Sequence, residues 1–328
     1  MREQTKSDIR EILRPIDSYM SRVDEAIREK IRTGVPLIDE CSLHLFRRGG
    51  KKIRAALIIL CSGLRNAVPE GIVDVAAAAE IVHAATLIHD DIIDQSYLRR
   101  GDVTVSQKWG YKAAVLVGDY MYTRALEIAV SDDRLDLFPV MAGATRDMVK
   151  GELYQIEYSN AQRISKEHYF NIIELKTARF MAACAKLGAM KSGMDPEEGE
   201  ELFQFGLNLG FAFQIVDDTL DVLDSQEETG KDTGNDFLDG KITLPFLNML
   251  EKVTEGERRR YLEYAVSPDE KKWEEVRKRI GETDSINYCL GLAEEYVGKA
   301  LKSMDRFPAS EYKNIIIALS RFLIDRKF

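Results

Sequence analysis

Apolar residues recur at intervals of three or four along most of the chain. Between residues 5 and 31 they fall at Ile9, Ile12, Leu13, Ile16, Met20, Val23 and Ile27, the spacing of one helical face. Gly34 and Pro36 predict the end of that helix. A basic, glycine-containing hinge, RRGGKKIR at 47–54, then leads into an apolar helix that reaches about residue 65. The stretch 71–94, containing AAAAEIVHAATLIHDDIID, is apolar nearly all round, the pattern of a helix buried at the centre of a fold. Further helices are predicted near 112–130, 135–158, 166–191, 197–225, 241–252, 256–265, 269–281, 285–304 and 309–326. Polar, glycine-containing loops are expected at 95–110 and 226–240. There is no convincing period-two alternation, hairpin signal, repeat, low-complexity tract or linker-like composition break. The pattern predicts one all-α domain over 1–328, a bundle of roughly ten or more helices.

Composition narrows the class. Hydrophobic residues make up 45% of the 328 positions, charged residues 31%, and proline occurs only 8 times, which suits a helix-rich protein with a substantial core. Apolar runs such as Ala55 to Cys61 fall short of the ~20 residues that cross a bilayer, so no stable membrane anchor is expected. The first residues, MREQTKSDIREIL, are charged and lack an apolar signal core, which predicts a cytoplasmic location. Cys41, Cys61, Cys184 and Cys289 are scattered without a CxxC pair, so buried free thiols are expected rather than disulfides or zinc. The formal net charge of −9 argues against a nucleic-acid binder. An acidic chain can hold anionic substrates only where cations bridge them to its carboxylates.

Two aspartate clusters offer such bridges. Asp90, Asp91 and Asp94 lie in HDDIIDQSYLRRG, and Asp217, Asp218 and Asp221 in FQIVDDTLDVLD. Each ends an apolar helical stretch, and residues four apart on a helix sit roughly 5–6 Å apart on one face. Negative charge at a helix C-terminus opposes the macrodipole. Folding gains nothing evident from three carboxylates placed there, whereas hard divalent cations would relieve the repulsion. One such cluster commonly marks a solvated helix end; two, each with apolar flanks, point to metal.

Basic residues complete the pattern. Lys51, Lys52 and Arg54 lie in GGKKIR, Arg99 and Arg100 follow the first aspartates, Lys176 and Thr177 lie in ELKTA, Lys231 in GKD and Lys241 in GKITLP. Each alone reads as a surface charge. Together with the aspartates they suit one metal-bound diphosphate beside a second diphosphate.

At these residues the chain resembles the trans-isoprenyl diphosphate synthase, or polyprenyl synthetase, family over nearly its whole length. The signposts occur in the family's order: GGKKIR at 49–54, EIVHAATLIHDDIID at 80–94, RRG at 99–101, VGDYMYTRA at 117–125, GELYQIE at 151–157, KTA at 176–178, FQIVDDTLD at 213–221 and GKDTGNDFLDGKITLP at 230–245. The resemblance implies an isoprenoid synthase-like bundle around a central apolar cavity. It also implies repeated ionisation, condensation and elimination between isopentenyl diphosphate and an allylic diphosphate. Asp90, Asp91, Asp94, Asp217 and Asp221 would coordinate about three Mg²⁺ ions, with Asp218 in support. Arg99, Lys176, Lys231 and Lys241 would contact the allylic diphosphate, and Lys51, Arg54, His83 and Arg100 the isopentenyl diphosphate. Thr177 and Gln214 would line the reacting centre, and His89 receives no role. Lys52 and Ala55 depart from the arginine and proline often found there, without loss of positive charge.

Product length is expected to depend on Ala85 and Thr86, one turn before Asp90, and on Val82 one turn deeper. Small residues there, with no insertion inside the first aspartate motif, predict a product of about six to ten isoprene units (C30–C50). Phe138 and Met141 are candidates for a tunnel floor. The resemblance also implies a homodimer, with residues 112–130 a candidate interface, and transient membrane contact through the lipid product. Alternatives are a short-chain synthase (about C15–C20) or a non-catalytic subunit of a heteromeric synthase, though such subunits usually lose one aspartate motif. A terpene cyclase would not need Lys51, Arg54 and Arg100, and a di-iron bundle would need more than the single Glu80-x-x-His83 pair.

Overall fold

Pro36 opens a helix, although the sequence reading took it only as a stop. Val35 is extended (φ −93°, ψ 109°) and Pro36 follows it at the start of the helix, where its missing N–H has no intrahelical partner to lose. Asp39 secures the turn before it, accepting from the N–H of Thr33 at 2.7 Å and of Gly34 at 3.2 Å.

The computed structural model describes residues 9–47, 49–99, 101–130, 134–158, 164–223 and 234–324. In chain order its first helices are α1 (Asp17–Lys30), α2 (Pro36–Phe46), α3 (Ile53–Ser62) and α4 (Ile72–Ile93). A small hairpin, β1 (Leu98–Arg99) and β2 (Asp102–Val103), precedes α5 (Val105–Trp109), α6 (Tyr111–Val130) and α7 (Phe138–Tyr158). Then come α8 (Lys166–Ile173), a π-helical segment Glu174–Ala178, α9 (Arg179–Lys191) and α10 (Pro196–Leu223). The chain continues through α11 (Asn235–Leu238), α12 (Leu244–Lys252), α13 (Glu255–Val266), α14 (Glu270–Glu282), α15 (Ser285–Ser303) and α16 (Glu311–Ile324).

The core forms around α4. Ala76 to Ala79 are wholly buried, and such small side chains let α1, α3 and α6 pack closely against this helix. α9 lies between α3 and α10, and α10 in turn packs along α15. Contrary to the sequence expectation, α4 is long and apolar enough to cross a membrane, but 72% of its most apolar window is buried inside the fold. All four cysteines are buried and free.

The remaining departures are local. The loop expected at 95–110 contains the hairpin, with Leu98 opposite Val103 and Arg99 opposite Asp102; Gly101 supplies the positive φ (74°) that its two-residue turn favours. The helix expected over 166–191 is interrupted by the π turn at Glu174–Ala178. Gly151 and Gly210 flank that turn. A Cβ on Gly151 would lie 2.6 Å from Lys176 Cγ, and one on Gly210 would lie 2.4 Å from Ala178 Cα. Both glycines therefore let α7 and α10 approach the widened turn more closely than any side chain would allow.

Candidate active site

α4 and α10 each bring a pair of carboxylates to one cavity. Asp90 and Asp94 at the end of α4, and Asp217 and Asp221 near the end of α10, all line a space of 1890 Å³. Members of each pair are four residues apart and share a helix face. The middle aspartate of each cluster is rotated about 100° from the first. Asp91, expected among the metal ligands, is 1% exposed and lies outside the cavity wall. Its Oδ1 accepts from Arg99 Nε at 2.7 Å. Asp218 is 5% exposed; one oxygen accepts from Tyr169 OH at 2.6 Å and the other from Gln214 Nε2 at 2.8 Å.

Crowding and burial raise the acids of this site. Burial pushes Asp90 up to about 6; Lys176 opposes the rise, while Glu152 and Asp94 add to it. Burial likewise raises Asp236 to about 7, reinforced by Asp221. Asp218 is held well above the ordinary carboxylate range by burial and Asp236, against its hydrogen bonds from Tyr169 and Gln214. Burial acts to lower Lys241, but Asp94, Asp236 and Asp239 outweigh it and keep this ammonium charged.

The cations sit among these acids. Lys241 Nζ donates to Asp94 Oδ2 at 2.7 Å, bridging the segment after α11 to the end of α4. Lys176, in the π turn, is ion-paired with Glu152 and donates to Gln155 Oε1 at 2.9 Å. Its neighbour Thr177 donates to Gln214 Oε1 at 2.8 Å. Lys51, Arg54, His83 and Arg99 line the same cavity. The Lys51 ammonium lies 5.9 Å from the centre of the Phe322 ring, and the Arg54 guanidinium 5.4 Å from that of Phe180. Arg100 and Lys231 lie outside the described residues.

Of the chain-length candidates, Thr86 lines the cavity. Ala85 and Val82 are wholly buried and do not belong to its wall, and neither do Phe138 and the buried Met141. Ala85 adjoins Thr86 on α4 and so faces another direction; Val82 lies a turn deeper on the face of Thr86, and Phe138 and Met141 belong to α7. Sequence reading gave no role to Glu152, Gln155, Tyr169, Asp236 or Asp239. Glu152 and Gln155 were visible within GELYQIE, and Asp236 and Asp239 within the stretch before Lys241. Tyr169 had no local signal.

Among the described residues, no three His, Cys, Asp or Glu side chains converge closely enough to hold a metal ion unaided. The cavity instead offers oxygen donors in pairs. That suits Mg²⁺, which is held by one or two carboxylates and completes its shell with substrate phosphates and water. Asp90, Asp94, Asp217 and Asp221 therefore fit Mg²⁺ bound together with a diphosphate.

Comparison with other proteins agrees with this geometry. The chain is 32% identical to an octaprenyl diphosphate synthase of Haemophilus influenzae over 330 residues, covering 100% of both chains. It is equally 32% identical to a short chain isoprenyl diphosphate synthase of Methanothermobacter thermautotrophicus, covering 97% of this chain and 99% of the relative. A crystal structure of a polyprenyl synthase from Caulobacter crescentus CB15, complexed with calcium and isoprenyl diphosphate, superposes with a TM-score of 0.92 at 33% identity, covering 98% of each chain. Residues 35–282 match the polyprenyl synthetase family model, and the chain belongs to that family.

Proposed function

We propose that this prenyltransferase condenses isopentenyl diphosphate with an allylic diphosphate in repeated rounds, giving an all-trans polyprenyl diphosphate. The observation that carries the reading is the meeting of two aspartate pairs, from α4 and α10, with Lys176 and Lys241 in one cavity. Mg²⁺, about three ions per site by family resemblance, would supply Lewis-acid neutralisation of the departing diphosphate.

The chain's own residues bind, orient and exclude water. Lys176, Lys241 and Arg99 hold the allylic diphosphate, and Lys51, Arg54 and His83 hold the isopentenyl diphosphate. The allylic C–O bond breaks with its electron pair leaving on the diphosphate. The double bond of isopentenyl diphosphate attacks the allylic cation, and the new cation loses a proton to the released diphosphate. No protein nucleophile is required. Leu87, Met148, Ile172 and Phe213 in the wall keep water from the cation.

The small Thr86 in the wall supports a product of about six to ten isoprene units. With Ala85 and Val82 buried outside the wall, Thr86 alone carries that length, and a product of about three or four units is the second reading. The proposed enzyme is a cytoplasmic homodimer that meets membranes only through its product. Exposed apolar residues on α6 and α7 outside the cavity wall, among them Tyr111, Leu116 and Leu153, support self-association.

The test is product analysis with the full chain, Mg²⁺, labelled isopentenyl diphosphate and, separately, allylic primers of two, three and four units. A ladder ending at six or more units is the expected result. Termination at three or four selects the short-chain reading. Absence of condensation from folded protein with every primer overturns the proposal.

A further inference from the structure

Lys52 occupies the bend that starts α3. Its φ of 42° and ψ of 47° are left-handed, a conformation that residues with a Cβ avoid unless their surroundings impose it. Two carboxylates from different helices flank this bend. From α1, Asp24 forms an ion pair with the Lys52 ammonium; the lysine side chain is 13% exposed and that of Asp24 43%. From α4, the buried Glu80 accepts the N–H of Ala55 at 3.1 Å. That bond satisfies a donor in the first turn of α3, where the N-cap residue provides no side-chain cap.

The bend lies between two cations assigned above to the isopentenyl diphosphate. Lys51 precedes it and Arg54 follows it, and both line the cavity together with Asp24 and Glu80. The backbone angles of Lys52 therefore set how the Lys51 and Arg54 side chains are presented relative to each other. An extended or right-handed residue there would redirect one of them.

We infer that Asp24 is a positioning residue for the isopentenyl diphosphate subsite: by holding Lys52 it keeps the left-handed bend that presents Lys51 and Arg54 together. The inference rests on the proposed assignment of those two cations. In this arrangement Lys52 acts as the pin of the bend, with its charge matched by Asp24. If Lys52 were instead a diphosphate ligand held in reserve, neutralising Asp24 would release it and tighten binding. The two cases give opposite signs.

Steady-state kinetics of the full-length enzyme separate them, with each substrate varied in turn at saturating Mg²⁺. Asp24→Asn is expected to raise KM for isopentenyl diphosphate about five- to tenfold, with kcat and the allylic KM within about twofold of the parent. Asp24→Glu, which keeps the carboxylate, is expected to restore the parent value. Lys52→Gln is expected to repeat the Asp24→Asn effect, and the double variant to add nothing further. If Asp24→Asn does not fold, Asp24→Ser, which removes the same charge, decides in its place, because Lys52→Gln raises this KM whether Lys52 pins the bend or binds the diphosphate itself. An unchanged or lower KM for isopentenyl diphosphate, or a parallel rise for both substrates, overturns the inference. Failure of the parent enzyme to condense any primer counts against the proposed function instead.

Discussion

Tyr169 donates its phenolic hydrogen to Asp218 Oδ2 at 2.6 Å, while Gln214 Nε2 serves the other oxygen at 2.8 Å. This buried carboxylate thus has a partner on each oxygen, although neither of its cluster neighbours contributes one. Tyr169→Phe would leave one oxygen unpaired at nearly unchanged volume. The expected cost is ~1–3 kcal/mol of stability, read by urea unfolding, with a fall in kcat as Gln214, which lines the cavity and shares this carboxylate, is held less firmly. Unchanged stability would show that water replaces the phenol.

The two adjacent aspartates of α4 should respond differently to the same change. Asp90→Asn removes a carboxylate from the cavity wall, and the expected outcome is a loss of about 10²–10³ in kcat with a weakened Mg²⁺ dependence. Asp91→Asn weakens the hold on Arg99, so the allylic KM should rise while the Mg²⁺ concentration for half-maximal rate stays near the parent value. Titrating Mg²⁺ against rate for both variants is the check. Equal Mg²⁺ shifts would place Asp91 among the ligands after all.

Stability without metal should fall as pH rises through the acid range. Asp90 and Asp236 are raised to about 6 and about 7, so the folded state holds their protons more tightly than the unfolded state. The folded state is therefore favoured at low pH, and that advantage is lost between about pH 4 and about pH 7. Mg²⁺ with inorganic diphosphate requires the deprotonated carboxylates, so its stabilising effect should grow over the same window. Melting curves at about pH 5 and about pH 8, with and without these additions, measure it. A shift that does not depend on pH would count against protonation of these acids.

Product length offers a test of helix phase. Thr86→Phe places a ring in the cavity wall and is expected to shorten the product ladder. Ala85→Phe places one at a wholly buried site, where overpacking costs about 1–3 kcal/mol, so it should lower the melting temperature more. Chain-length analysis beside thermal melts distinguishes the two. Shortening by Ala85→Phe alone would return the tunnel mouth to that residue.

What the sequence made legible was set by period and by order. The central helix, expected at 71–94, spans Ile72–Ile93, and the long helix expected at 197–225 spans Pro196–Leu223, because an apolar period sustained over several turns leaves little choice. Pro36–Phe46 was missed because proline marks both the end of one helix and the start of another. The hairpin was missed because two-residue strands carry no period. At the site, a motif shows that aspartates are present but not which way each faces. Tyr169 reaches Asp218 from another helix, which no local pattern announces.

The π turn at Glu174–Ala178 makes α8 and α9 one rod with two phases. A π turn takes an extra residue into the helix, so everything after it is rotated by about 100° relative to an uninterrupted α-helix. The apolar stripe before the turn packs on α7 and α12, and the one after it on α3 and α10 as well as α7. Deleting one residue here would make a more regular helix and a worse protein. Either Lys176 and Thr177 would leave the cavity, or the whole of α9 would turn its buried face out of register. The irregular turn lets the chain satisfy the reaction centre and the core with a single continuous helix.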